Sequence, residues 1–274
     1  MTKLFNHILS LIMILPVAAG VQSCSDDLQE SGDVSVRFIA KLPVETGTRS
    51  FGNAGRINNL VVGIFDEQKT EIERKTFAVN GSSFDVQLTL AQNQVYNVIF
   101  WAYDNSQDIY DINDLTAIRM NALPDSLTFD QSESADAFFA AIENLPVLGD
   151  RKHMVEMVRP LAQINVGTTE EVLQTSVKFK GVPDTFYPFT NTVSSGTADF
   201  TWRFCGKTAE KLLVDGNEYN YLALCYLFAP DTVTHISTEI TLTRDEQVSR
   251  TVELPHVEVN ANCRSNILGS FVIE

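Results

Sequence analysis

The chain has 274 residues, 44% of them hydrophobic and 20% charged, which is the composition of a globular protein and not of a disordered one. Its 35 acidic residues against 20 basic ones give a formal net charge of −15, which repels phosphate and argues against nucleic acid or anionic lipid headgroups as electrostatic partners. Four histidines and four cysteines leave little material for a metal cluster, and no cofactor is expected.

In chain order, Lys3 precedes an apolar run over residues 8–15, broken by Pro16 and followed by small residues. This is the charged start, short apolar stretch and small-residue end of a secretory signal, too short for a comfortable membrane span. Val21, Gln22, Ser23 and Cys24 place an aliphatic residue at −3 and a small one at −1 before a cysteine, which resembles a bacterial lipobox. That pattern implies a signal peptide over 1–23, cleavage before Cys24 and acylation of its thiol and new amino group. Several acyl chains give stable anchoring where one does not. Residues 24–32 form a polar tether. Its Ser25, Asp26 and Asp27 are similar to the acidic export signal of Bacteroidetes surface lipoproteins, which implies the outer face of the outer membrane. An acidic linker without a sorting role is the alternative.

From Asp33 the dominant hydrophobic period is two, the signature of half-buried strands. Val34, Val36, Phe38, Ala40 and Leu42 alternate with Ser35, Arg37, Ile39 and Lys41. Residues 60–65 read as a buried strand closed by Asp66 and Glu67. Phe84, Val86, Leu88 and Leu90 alternate again, and residues 95–103 read as a long apolar, central strand. A helix is expected over 135–142, capped by Ser134, in a long connection over 104–152. Strands resume at Met154, the best being 162–166, 176–179, 221–228, 235–242 and 265–273. The fold class is therefore all-β, antiparallel sandwiches, cut near residue 153 into domains over 33–153 and 154–274.

Catalytic signatures are absent from the sequence: there is no Gly-rich phosphate loop, His-Glu-x-x-His, G-x-S-x-G or Cys-x-x-Cys. An enzyme is not expected, although carboxylates are plentiful and a glycosidase-like pair is not singled out. His153, His235 and His256 are scattered, and His235 reads as a half-exposed strand residue. Residues 104–114 are dense in oxygen ligands, but Ile109 and Leu115 stand where a calcium loop of the EF-hand type needs Gly and Glu, so a solvated loop is expected. Cys225 lies in an apolar strand and reads as a buried thiol, while pairing of Cys205 with Cys263 stays open. Trp101 and Trp202 fall in strand patterns and read as core.

Taken in order, the lipobox cysteine and four segments resemble the fimbrillin family of Bacteroidales across the whole chain. The segments are residues 47–52 (Gly-Thr-Arg-Ser-Phe-Gly), 96–102 (Tyr-Asn-Val-Ile-Phe-Trp-Ala), 159–167 (Arg-Pro-Leu-Ala-Gln-Ile-Asn-Val-Gly) and 265–269 (Ser-Asn-Ile-Leu-Gly). The resemblance implies two tandem transthyretin-like sandwiches and assembly by proteolysis-triggered donor-strand exchange. A protease cuts after an arginine behind the first strand, that strand leaves with its lipid, and an extended segment of the next subunit fills the groove. Carried onto this sequence, the removable strand is marked by Val34, Val36, Phe38, Ala40 and Leu42. The cut falls at Arg49, with Arg56 as the backup, and an uncut loop arginine, as in anchor subunits that keep their lipid, is the alternative. The donor strand is marked by Asn266, Ile267, Leu268, Phe271 and Ile273. The implied partners are copies of the chain or other fimbrial subunits, the outer membrane through Cys24, and a host or bacterial surface receptor. A non-polymerising surface lipoprotein that binds a glycan or host ligand is the alternative, and stalk, anchor and tip roles all stay open.

Overall fold

The computed structural model describes residues 32–43, 54–123, 127–170, 174–205, 210–244 and 247–270. In chain order the elements are β1 (Asp33–Lys41), β2 (Asn59–Phe65), β3 (Glu71–Ala78), β4 (Ser83–Ala91), β5 (Val95–Tyr103), β6 (Tyr110–Asp111) and β7 (Ile118–Met120). The short helix α1 (Phe129–Glu133) is followed by β8 (Ala137–Pro146), β9 (Arg151–Glu156), β10 (Leu161–Thr168), β11 (Gln174–Val182), β12 (Thr185–Tyr187) and β13 (Thr192–Val193). The chain continues through β14 (Ala198–Cys205), β15 (Lys211–Val214), β16 (Asn217–Phe228), β17 (Thr234–Arg244), β18 (Gln247–Val259) and β19 (Arg264–Leu268).

These strands form five sheets. The N-terminal sheet is β4-β1-β9, and the sheet facing it is β3-β2-β5-β8. The later part of the chain forms β14-β11-β17-β18 and β15-β16-β10-β19, with a small sheet β13-β12-β7-β6. Most pairings are antiparallel, and β1 with β9 and β10 with β19 are parallel.

Two hydrophobic cores follow from the alternation of side chains along each strand. The first lies between β4-β1-β9 and one face of β3-β2-β5-β8, where Phe38, Leu60, Val62, Ile64, Val98, Phe100 and Phe138 meet. The second holds Trp202, Phe179, Ile240, Cys225 and Phe228, together with Val61, Phe65, Ile99, Trp101 and Phe139 from the opposite face of that same sheet. β3-β2-β5-β8 is thus covered on both sides. Burial on both faces explains why β2 is buried along its whole length and why residues 60–65 and 98–102 are apolar runs instead of alternating ones.

One sequence expectation is corrected. The helix expected over 135–142 is a strand: residues 137–142 lie in β8, paired to β5, and the α-helix is α1, one turn earlier, with Thr128 and Gln131 forming its capping box and Ser134 at its C-terminal end. Phe138 enters the first core and Phe139 the second, so a run apolar on both faces imitates a helical one. The long connection expected over 104–152 holds β6, β7 and β8 beside α1. Residue 153 lies in β9, which is hydrogen-bonded to β1, and the first core runs on to Met157. Strand β19 ends at Leu268, and Phe271 and Ile273 lie outside the described residues. Among the described residues no helix is long and apolar enough to cross a membrane.

Candidate functional site at the first and last strands

β1 is the central strand of its sheet. It pairs antiparallel with β4, bringing Phe38 opposite Val86, and parallel with β9, bringing Phe38 opposite His153. Because side chains alternate, Val36, Phe38, Ala40 and Leu42 all point into the first core, and each is at most 2% exposed. Val34 packs at its margin. The Phe38 ring lies 5.3 Å from that of Phe100 and 5.4 Å from that of His153, which anchors the middle of the strand to the facing β5 and to the neighbouring β9.

The outward face of β1 carries Ser35, Arg37, Ile39 and Lys41, and its hydrogen bonds are exposed. Arg37 Nε donates to Asp85 Oδ1 at 2.7 Å and forms a second, shorter bond to Oδ2, and the guanidinium holds the Asp85 carboxyl below its usual range. Gln87 donates to Ser35 Oγ at 2.7 Å, and the Ser35 backbone N–H donates to Asp150 Oδ1 at 2.8 Å. Cys24 and Arg49 lie outside the described residues. Arg56 is described, and its guanidinium is 2.6 Å from Asp130 in an exposed ion pair.

β19 lies on the open edge of β10. Asn165 pairs with Asn266 in register, its Nδ2 donating to Asn266 Oδ1 at 2.8 Å, while Gln163 Nε2 donates to Asn165 Oδ1 at 2.9 Å. Leu268 pairs with Gly167, where a Cβ atom would stand 3.1 Å from the Leu268 side chain and 2.8 Å from Leu212. Ile267 packs against the second core.

Sequence reasoning assigned no role to Arg159. Its guanidinium forks onto Asp136, Nε to Oδ1 at 2.6 Å and Nη2 to Oδ2 at 2.7 Å, with side chains only 4% and 2% exposed. The same guanidinium lies 4.8 Å from the Phe138 ring centre. Asp136 precedes β8 and Arg159 precedes β10, so the pair ties the two strands at their starts. Its signal in the sequence was an arginine leading directly into an apolar strand. Beside it, burial and the Asp136 charge push the Glu133 carboxyl up to about 7.

The remaining candidates are placed as follows. Asp104, Asp111 and Asp114 accept hydrogen bonds from nearby side chains and backbone N–H groups at Asn58, Ser106, Asn113 and Thr116 instead of converging. Among the described residues no group of three or more His, Cys, Asp or Glu is placed to hold a metal ion. Cys225 is buried, Cys263 carries a free thiol that accepts from Asn260 Nδ2 at 2.9 Å, and the side chain of Cys205 lies outside the described residues. Trp101 and Trp202 are fully buried. His235 is half-exposed on β17, 3.6 Å from Glu258.

A family model matches residues 28–274. The chain belongs to the family of unknown function DUF6562. Among curated proteins none matches the sequence. Among solved structures, this DUF6562 chain is similar to a candidate cell adhesion protein from Bacteroides ovatus, with 13% identity, a TM-score of 0.50, and coverage of 88% of this chain and 93% of that one. It is also similar to a fimbrial assembly protein from Parabacteroides distasonis, at 13% identity, a TM-score of 0.49 and coverage of 88% and 92%. A third is the fimbrial anchor protein Mfa2 from Porphyromonas gingivalis, at 12% identity, a TM-score of 0.47 and coverage of 81% and 82%. At these identities the likeness is one of fold, and the first of the three carries it. The all-β fold expected from the sequence is shared with that cell adhesion protein.

Proposed function

We propose that this chain is a cell-surface protein of the fimbrial and adhesion class, anchored in the outer membrane through lipid on Cys24, which assembles with copies of itself or other fimbrial subunits by donor-strand exchange. In this reading the two cores are transthyretin-like sandwiches, cleavage at Arg49 frees β1, and a strand of the next subunit takes its place. The observation that carries the proposal is the placement of β1. Its inward side chains are almost fully buried, it is paired on both sides, and its outward contacts are polar and exposed. An extended segment with alternating apolar side chains would find a complete set of backbone partners and side-chain pockets there.

Limited trypsin treatment followed by gel analysis tests it. Loss of residues 24–49 accompanied by SDS-resistant ladders is the expected result. A protein never cut there, or one trimmed that stays monomeric, overturns strand exchange and leaves the non-polymerising surface protein that binds a glycan or host ligand. The anchor has its own test: Cys24→Ala should leave the chain without lipid and out of the membrane fraction.

A further inference from the structure

The edge of β10 is apolar except for a short polar run on one face. Asn165 is fully buried and Gln163 nearly so, although both sit in a strand buried on both faces. A buried primary amide needs partners for its N–H groups and its oxygen. Here the oxygen accepts from Gln163 and the N–H donates to Asn266 on β19, so the chain of amides runs Gln163, Asn165, Asn266 across two strands. Two residues further along, Gly167 leaves a notch whose walls are Leu212, Tyr219 and Leu268.

Hydrophobic alternation alone does not fix how β19 lies here. A slip of one residue exchanges the faces of a strand, but a slip of two preserves them. β19 is short, is paired through β10 alone within its sheet, and is only partly buried, with Leu268 still 36% exposed. Slipped by two residues, it would bring Arg264 or Leu268 opposite Asn165 in place of Asn266. The leucine has no acceptor for the buried N–H, and the arginine side chain carries only donors. The same slip takes Leu268 out of the Gly167 notch.

We propose that Asn165 and Gly167 are positioning residues that read the register of the strand lying on β10, admitting a parallel strand with an amide-type acceptor followed two residues later by leucine. Asn165 selects the acceptor by hydrogen bonding and Gly167 selects the leucine by shape. The inference rests on the proposed strand exchange for β19 as the donor strand that the resemblance implies, but the clasp belongs to the resting chain and stands whether or not Arg49 is cut.

Hydrogen exchange on the full-length, uncut chain tests it, read by mass spectrometry on fragments covering residues 262–270 and, as internal control, 59–65. Asn266→Ala should speed exchange in 262–270 by about tenfold, the scale of one part-buried hydrogen bond lost, and leave 59–65 unchanged. Asn266→Asp keeps an acceptor and should restore protection, whereas Asn266→Leu should not. Asn165→Ala should match Asn266→Ala, and the double variant should exchange no faster than the faster single one. Gly167→Ala should release the same fragment. The proposal is overturned if Asn266→Leu protects as well as asparagine, or if the effects of Asn165→Ala and Asn266→Ala multiply. If Asn165→Ala does not fold, the Asn266 series decides alone, because that side chain lies on the exposed edge. Failure of the trypsin ladder with this series intact would remove the donor role and leave the clasp. The reverse result would remove the clasp alone.

Discussion

At the scale of single residues, the buried charges around the starts of β8 and β10 give the sharpest expectations. Arg159 and Asp136 satisfy one another in a fork with almost no solvent access, so Asp136→Ala should leave a buried cation without its carboxylate and cost about 3–5 kcal/mol, read as a shifted urea midpoint. Glu133 acts in the opposite sense. Its carboxyl is raised from 4.5 to about 7, foremost by burial, so the folded chain keeps a proton that the unfolded chain has released. The stabilisation from that proton is complete below about pH 4.5 and is lost as the pH rises through about 7. Glu133→Gln should flatten this dependence and make the variant more stable than the parent at pH 8 by about 1–2 kcal/mol. Parallel stability curves for the two proteins between pH 5 and 8 would contradict it. Neither residue was legible as a partner in the sequence, because the two carboxylates lie 23 and 26 positions from Arg159 and nothing in local spacing links them.

Among the elements, β1 and β4 were readable because each buries one face, so the apolar residues fall at every second position. β8 was misread for the complementary reason: Ala137, Phe138, Phe139 and Ala140 serve two cores at once, and a strand apolar on both faces has no period to display. The candidate site divides along the same line. The inward stripe of β1 was evident from alternation, while the partnership of Asn165 with Asn266 joins residues 101 positions apart and shows only in the fold. Within β1 the two faces should respond very differently to truncation. Phe38→Ala removes a ring packed between Phe100 and His153 and should cost about 3–5 kcal/mol, whereas Arg37→Ala breaks an exposed ion pair and should cost under about 1 kcal/mol. Equal losses in the two variants would mean that the strand is held by its surface and not by its core.

Over the whole described molecule, β3-β2-β5-β8 is a wall common to both cores, and this predicts one cooperative unfolding event. Phe100→Leu trims the first core and Phe179→Leu the second, yet both should lower the same melting midpoint by a few degrees, with Trp fluorescence and far-UV circular dichroism following one curve. Two separated transitions would show the cores to be independent. The position of β1 against that wall also bears on the kinetic order of any strand replacement. A strand with neighbours on both sides leaves two naked edges and an apolar trough floored by Leu60, Val62, Val98 and Phe100, so an emptied state is costly and scarce. Replacement should therefore advance residue by residue, the newcomer pairing as the old strand peels, and its rate should climb with the concentration of incoming strand instead of levelling at the rate of spontaneous departure.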